Sequence, residues 1–349
     1  MFLCCGEALI DMLPVSGTDG RTAFAPHAGG AVFNTAIALG RLGNRTGFLC
    51  GLSQDFLGQF LVDELTASGV DASLSPRVDR PCTLAFVSLV DGQARYTFYD
   101  ENSALRALQP DTLPVLPDSV NGLFLGGISL ISEPCGSAYE ALCLREAGKR
   151  LIMLDPNIRP GFIADEKAYR ARLSRMIAVA DVVKLSDEDL AWLIPGNTDD
   201  AAQCLLAMGP ALVLVTRGAE GAVAWRAQGR VQVDAPRVEV ADTVGAVDRL
   251  LLGCRVPPFQ IALAVDHHHG VTQRGSGALH PVNHRLHART HASVVALQMV
   301  DAVEDFAPDT ACFGWRLFRM VAQPVVEAQH LAQGPDQVQS HAERQTPGQ

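Results

Sequence analysis

The sequence predicts an α/β fold built on a mostly parallel sheet, and two observations carry that prediction. Up to Asp248, short apolar runs alternate with helical patterns, the signature of successive βαβ units. One pair of runs breaks the alternation. Cys82 to Asp91 and Gln93 to Asp100 flank the turn pair Asp91-Gly92, which predicts a β-hairpin in a small accessory sheet.

The elements follow in order. The opening stretch MFLCCGEALIDMLP reads as a buried strand; Glu7, Asp11 and the lack of a basic leader region set it apart from a secretory signal. Thr46 to Gly51 is strand-like. Asp55 to Thr66 carries Phe56, Leu57, Phe60, Leu61 and Leu65 at three- and four-residue spacing, one face of a helix. Gly122 to Leu125, Leu151 to Leu154, Val182 to Leu185, Ala211 to Val215 and Val238 to Ala241 repeat the strand theme, with helical stretches between several of them.

The chain has 349 residues, 48% of them hydrophobic, enough for one large α/β domain or two small ones. No uncharged apolar run reaches the 18 or so residues of a membrane-spanning helix. A formal charge of −10 argues against nucleic acid as a partner. Nine cysteines without a Cys-x-x-Cys pair suit reduced thiols, so a cytoplasmic location is expected. Adjacent Cys4 and Cys5 would point to opposite faces of their strand as small core residues.

Beyond Asp248 the chain changes character. Nine of the ten histidines follow residue 260, while all three lysines (Lys149, Lys167, Lys184) precede residue 190. Residues 249–349 hold equal numbers of arginines and acidic residues, so the net charge belongs to the first 248. Leu250 to Leu252 could continue a helix until Pro257-Pro258, and Ser293 to Val303 could form another. The tract His267-His268-His269 reads as a solvated run rather than a metal site, and the stretch from Ala322 onward as disordered.

Three constellations suggest chemistry. Gly29-Gly30, four residues before Asn34, allows backbone to approach a ligand at a helix start, and the amide both donates and accepts. An ordinary loop-to-helix turn would use the same residues. Asp242-Thr-Val-Gly245-Ala246-Val247-Asp248 could cradle an anion at a helix N-terminus, with a carboxylate placed to take a hydroxyl proton; a helix cap is the alternative. Thr216-Arg217-Gly218-Ala-Glu-Gly221 follows a buried run and suits a nucleotide's phosphates, or a tight hairpin turn. A Walker loop, a Gly-x-Gly-x-x-Gly after a strand and a Gly-x-Ser-x-Gly elbow are all missing, which turns the reading away from Walker ATPases, dinucleotide oxidoreductases and hydrolases.

Taken with ALGRLG, TFYDENSA, LFLGGISL, LDPNIRP and VVKLSDEDL in this order, these stretches resemble the ribokinase-like (PfkB) carbohydrate kinases, and among them bacterial fructokinases. The resemblance covers residues 1 to about 248. It implies a three-layer sandwich with a small β lid formed by parts of 12–28 and 82–100, and ATP-dependent phosphorylation of a small sugar, fructose or another such as 2-keto-3-deoxygluconate. Asp11, Gly29, Gly30 and Asn34 would hold the sugar's hydroxyls, with Asn102, Asn157 and Arg159 near the substrate or the transferring phosphate. Asp248 would be the general base, and the N–H groups of Gly245, Ala246 and Val247 the anion hole. Lys184, Ser186, Thr216, Arg217, Gly218 and Gly221 would face the nucleotide. Asp189 would organise magnesium through water, and Asp242 would lie near a potassium-like monovalent cation. The family also implies a homodimer joined through the lid. Two departures stand out: Val247 replaces the last glycine of Gly-Ala-Gly-Asp, and residues 249–349 lack the family's closing segments. A reading-frame shift near codon 247 or a divergent C-terminal domain would account for that tail, and a catalytically impaired sugar-binding remnant is the rival to an active kinase.

Overall fold

The computed structural model describes residues 1–17, 19–90 and 93–235, together with four short strands beyond them. The chain runs β1 (Phe2–Cys5), β2 (Leu9–Ser16), β3 (Thr22–Gly29), α1 (Ala31–Arg41), β4 (Thr46–Leu49), β5 (Leu52–Ser53), α2 (Phe56–Ala67), β6 (Val70–Asp71), β7 (Arg77–Val78), β8 (Leu84–Val90) and β9 (Gln93–Tyr99). It continues with β10 (Gly122–Gly126), α3 (Cys135–Glu146), β11 (Leu151–Asp155), α4 (Glu166–Ile177), β12 (Val182–Ser186), α5 (Asp187–Leu193), α6 (Thr198–Met208), β13 (Leu212–Thr216), β14 (Ala222–Arg226) and β15 (Gly229–Val233).

The large sheet has the order β15-β14-β13-β12-β11-β10-β1-β4-β6, parallel from β13 to β6 and antiparallel at the β13–β15 end. Its strands are nearly continuous apolar runs because both faces are covered. Alternate side chains of each strand divide between two cores. Leu3, Leu123, Leu125, Ile152, Leu154 and Val183 pack with Tyr139 and Leu142 of α3 and Leu173 of α4. Cys4, Phe48, Phe124 and Met153 pack with Phe33 and Ile37 of α1 and Leu61 and Leu65 of α2. Cys4 and Cys5 thus fall into different cores, and they, Cys50, Cys82, Cys135, Cys143 and Cys204 are free thiols.

Local chemistry sets the helix starts. Asp55 accepts the N–H of Gly58 (2.7 Å) at the head of α2, Asp165 that of Ala168 (2.9 Å) at α4, and Asn197 those of Asp199 and Asp200 at α6. Helix α1 differs, because its cap is Gly30, which has no side chain to offer.

The hairpin expected at 82–100 is present as β8 and β9, and it joins β2 and β3 in a second sheet of order β3-β2-β8-β9. This is the lid. The turn Asp91-Gly92 and the strand expected at Val238 to Ala241 lie outside the described residues.

Two expectations for the tail are corrected. Leu251–Arg255 is a strand, β16, paired with β17 (Gln260–Ala264), where a helix was expected to continue. Leu297–Asp301 is likewise a strand, β18, paired with β19 (Phe318–Ala322), inside the segment expected to be helical. Apolar runs this short fit either period, and cross-strand pairing rather than local pattern decides between them. The histidine tract, and all of the stretch from Ala322 except that residue itself, lie outside the described residues.

Candidate functional site

Strand β1 lies between β4 and β10, so the chain leaves β1 toward one edge of the sheet and later returns to build the other half from β10 onward. At such a reversal the loops diverge and leave a crevice at the carboxyl ends of the strands. The turn after β1 opens into β2 and β3, which bring Asp11 and Gly29 to the crevice from the lid side.

Asp11 pairs across the lid sheet with His27 on β3 and Ala85 on β8. Its carboxyl is partly buried, and that burial pushes its pKa up to about 6. Gly29 is pressed against it: a methyl group there would overlap Asp11 Oδ2 and stand 3.0 Å from Cγ. Gly29 therefore makes room for the carboxylate rather than for an unusual backbone angle. Gly30 adopts φ +111° directly before α1, and Asn34 follows in the first turn, 8% exposed, with its N–H bonded to the Gly30 carbonyl (2.8 Å). The structure thus sets Asp11 against Gly29, with Gly30 and Asn34 following at the start of α1.

Asn102 and Asn157 are the two non-glycine residues with positive φ among the described residues, at +54° and +45°. Such conformations are uncommon outside glycine, asparagine tolerates them best, and they concentrate at ligand sites. Asn157 is buried, whereas Asn102 and Arg159 are exposed. Arg159 and Asp11 both act electrostatically on the phenol of Tyr96, which burial and the Asp11 charge push upward. A lid strand thus brings Tyr96 toward the groups expected to bind substrate. Phe98, two residues on, meets Phe162 edge-to-face at 4.5 Å and joins the lid to the loop after Arg159. Asp100, at the end of β9, accepts from Arg106 Nη2 (2.8 Å) and the Ser132 hydroxyl (2.9 Å), which fixes the base of the lid.

Several expected nucleotide residues sit in tight structural roles. Lys184 is 1% exposed and its Nζ lies 3.0 Å from Asp155 Oδ2, an ion pair inside the sheet. Ser186 caps α5 by accepting the Asp189 N–H (3.0 Å). Asp189 accepts from Ile158 N (2.9 Å) with one oxygen and from Ser186 N (3.2 Å) with the other. Its carboxylate therefore locks the Asn157–Arg159 turn onto α5, and reaches a metal only through lone pairs left beyond those bonds. The Thr216 hydroxyl points to the Leu185 carbonyl at 3.4 Å. Arg217 to Gly221 form the tight connection between antiparallel β13 and β14, closed by Arg217 N to the Gly221 carbonyl (2.8 Å). Gly218 there has φ +51° and open space around it, as a contact loop would. Asp242, Gly245, Ala246, Val247 and Asp248 lie outside the described residues.

Sequence reasoning missed Tyr96, Phe98, Phe162, Asp100 and Glu7. Glu7 stood in plain view in GEALID, but as one acidic residue beside another it gave no signal of its partners.

The chain that carries this crevice matches known proteins over about two thirds of its length or more. The model of the pfkB family carbohydrate kinases matches residues 2–249. The chain belongs to that family. This carbohydrate kinase, a phosphotransferase, is 54% identical over 249 residues to a fructokinase of Rhizobium leguminosarum bv. trifolii, covering 71% of this chain and 76% of the relative. It is 34% identical over 256 residues to a fructokinase of Salmonella typhimurium, covering 71% and 81%. Among solved structures, the fructokinase of Xylella fastidiosa with bound ATP aligns with a TM-score of 0.61 and 29% identity, over 66% of this chain and 76% of that one. A fructokinase double mutant of Vibrio cholerae O395 bound to fructose, ADP and a potassium ion aligns with a TM-score of 0.62 and 27% identity, over 70% and 79%. The ribokinase-like fold expected from the motifs is therefore present. Among the described residues, no helix of the kinase is long and apolar enough to cross a membrane.

Proposed function

We propose that this kinase transfers the γ-phosphoryl group of ATP to O6 of fructose. The observation that carries this reading is the Asp11–Gly29 contact in the crevice, in a chain 54% identical to a fructokinase. A carboxylate that accepts from two hydroxyls, beside an amide that both donates and accepts, selects a polyol over an apolar isostere. Asp11, Gly29, Gly30 and Asn34 hold the sugar, with Asn157 and Arg159 toward the phosphate, and the lid carrying Tyr96 and Phe98 excludes water. Asp248 takes the proton from the acceptor hydroxyl, and the N–H groups of Gly245, Ala246 and Val247 receive the charge of the transferring group. Thr216, Arg217, Gly218 and Gly221 face the nucleotide, and a homodimer forms through the lid.

Magnesium fits this site as a hydrated ion carried by the triphosphate. Among the described residues no group of three His, Cys, Asp or Glu side chains forms a protein cage for a metal, and Mg²⁺ commonly keeps its waters and binds substrate phosphates. Asp189 would hold it through water, and the ion would neutralise charge on the phosphates. Asp242 would lie near potassium.

Val247 favours a second reading. A branched Cβ where the family has glycine crowds the anion hole, which would leave a sugar-binding protein with impaired catalysis. We read residues 249–349 as the product of a shifted frame near codon 247, a reading supported by the family match ending at residue 249. Sequencing the gene there should reveal an alternative frame encoding Gly-Asp and an apolar helix; its absence refutes the shift and favours a divergent domain.

The deciding experiment measures ADP formation with ATP, magnesium and fructose, beside Asp248→Ala. Fructose-dependent turnover lost in the variant supports the kinase. Fructose binding without turnover supports the impaired reading, and a preference for 2-keto-3-deoxygluconate would replace fructose as the substrate.

A further inference from the structure

Glu7 sits in the turn between β1 and β2, at the point where the large sheet reverses direction, and is 2% exposed. Its Oε1 accepts the N–H groups of Ala31 (2.8 Å) and Val32 (3.4 Å), the first two residues of α1. Its Oε2 accepts the N–H of Ser129 (3.3 Å), in the turn after β10. Its carbonyl accepts from Phe33 N (3.2 Å). Helix α1 has a glycine cap and therefore lacks its own side-chain acceptor; Glu7 supplies one from 24 residues earlier. Two glycines with positive φ leave space for Glu7, one beside its carboxylate and one beside its main chain. A methyl group on Gly127 would overlap the carboxylate, and one on Gly30 would stand 2.7 Å from the Glu7 carbonyl oxygen.

We infer that Glu7 is a positioning residue for the sugar site: its carboxylate ties the N-terminus of α1, which carries Gly30 and Asn34, to the Gly127–Ser129 turn across the crevice, and so sets the distance between the two walls. The inference rests on the sugar-kinase reading above and deepens it. Glu7 need not touch the substrate. It fixes the helix start that presents Asn34, so its loss acts on substrate affinity through geometry.

Protonation bears on the same tie. A neutral carboxyl turns one acceptor into a donor and opposes the N–H it faced. Burial pushes Glu7 up to about 7, while its four main-chain hydrogen bonds, one from its own N–H, oppose that rise. The titratable groups facing it are the Cys50 thiol, in the turn after β4, and the Tyr169 phenol of α4, both kept protonated by burial; Asp155 of β11 faces the same phenol. Asp11 titrates at about 6, so the difference between parent and variant profiles isolates Glu7.

The test uses the full chain, fructose as probe, and Glu7→Gln, which keeps the shape but puts an NH₂ against N–H donors. We expect a cooperative melt, fructose binding about tenfold weaker at pH 8, equivalent to about 1.4 kcal/mol, and a flatter affinity profile from pH 6 to 8. Amide exchange at Ala31, Val32 and Ser129 should quicken. In the parent protein, protection of those amides, corrected for intrinsic rates, should change together between pH 8 and pH 6. Unchanged fructose affinity and exchange in Glu7→Gln overturn the inference. If that variant does not fold, pH-independent protection in the parent overturns it instead. A parent chain that binds no sugar refutes the sugar-kinase reading, and the positioning of a sugar site with it, whatever the amides do.

Discussion

Gly29 and Gly30 are neighbours, yet replacing each with alanine should fail in different ways. Gly29 lies in the extended strand β3, opposite Leu9, and its backbone suits any residue. The added methyl group meets Asp11, at 3.0 Å from Cγ and closer still to Oδ2, and Leu9 Cδ1 at 3.3 Å. Ordinary contact begins at 3.4 Å, so the carboxylate must swing aside by roughly 1 Å, a displacement that costs a reaction about 100-fold when it misplaces a substrate-holding group. The carboxylate is the far end of a side chain, so the fold itself loses little. Gly29→Ala should therefore lower kcat/KM for fructose, or fructose affinity where turnover is absent, by about 100-fold, with a loss of less than about 1 kcal/mol in urea-unfolding stability. Gly30→Ala forces alanine to φ +111° with Cβ 2.7 Å from a backbone carbonyl, and neither can give way cheaply. It should cost about 2 kcal/mol or more of stability. Calorimetric titration with fructose and urea melts on both variants check the pair. Full fructose affinity in Gly29→Ala would refute the assignment of Asp11 to the sugar.

Three further outcomes are expected. Lys184→Met removes the cation beside Asp155 and should destabilise the chain by about 3–5 kcal/mol in urea melts, with part of the loss recovered when Asp155→Leu is added. Glu7 titrates near 7 in the folded chain against about 4.5 unfolded, so the folded state binds the extra proton between those values; its contribution is greatest below pH 4.5 and falls by about 3 kcal/mol as pH rises through 7. Stability measured from pH 5 to 7 should show that slope in the parent and a shallower one in Glu7→Gln, with Asp11 supplying the remainder. Val247→Gly should raise fructose-dependent ADP formation by about tenfold or more, measured with a coupled assay, while fructose affinity stays level. An unchanged rate would place the defect, or the absence of one, elsewhere in the chain.

Much of this molecule follows from local sequence. Apolar runs such as Leu151 to Leu154 are strands because only a sheet covered on both faces buries them fully. The spacing of Leu57, Leu61 and Leu65 makes α2 amphipathic, and Asp55 marks its start. Short motifs nominated Asp11, Gly29 and Asn34 for one site because each carries its chemistry in its own side chain or in the lack of one. Other roles depend on strand order, which no local pattern contains. Glu7 meets Ser129, 122 residues away, only because β10 lies beside β1. Asp189 holds Ile158 because β11 and β12 are adjacent, and the same adjacency draws Lys184 to Asp155. Short runs in the tail, such as Leu297–Asp301, became strands through pairing rather than period. Sequence by itself determined which residues could be buried and which chemistry was available; tertiary structure decided which of those groups meet, because a buried charge takes whichever partner the neighbouring strand presents.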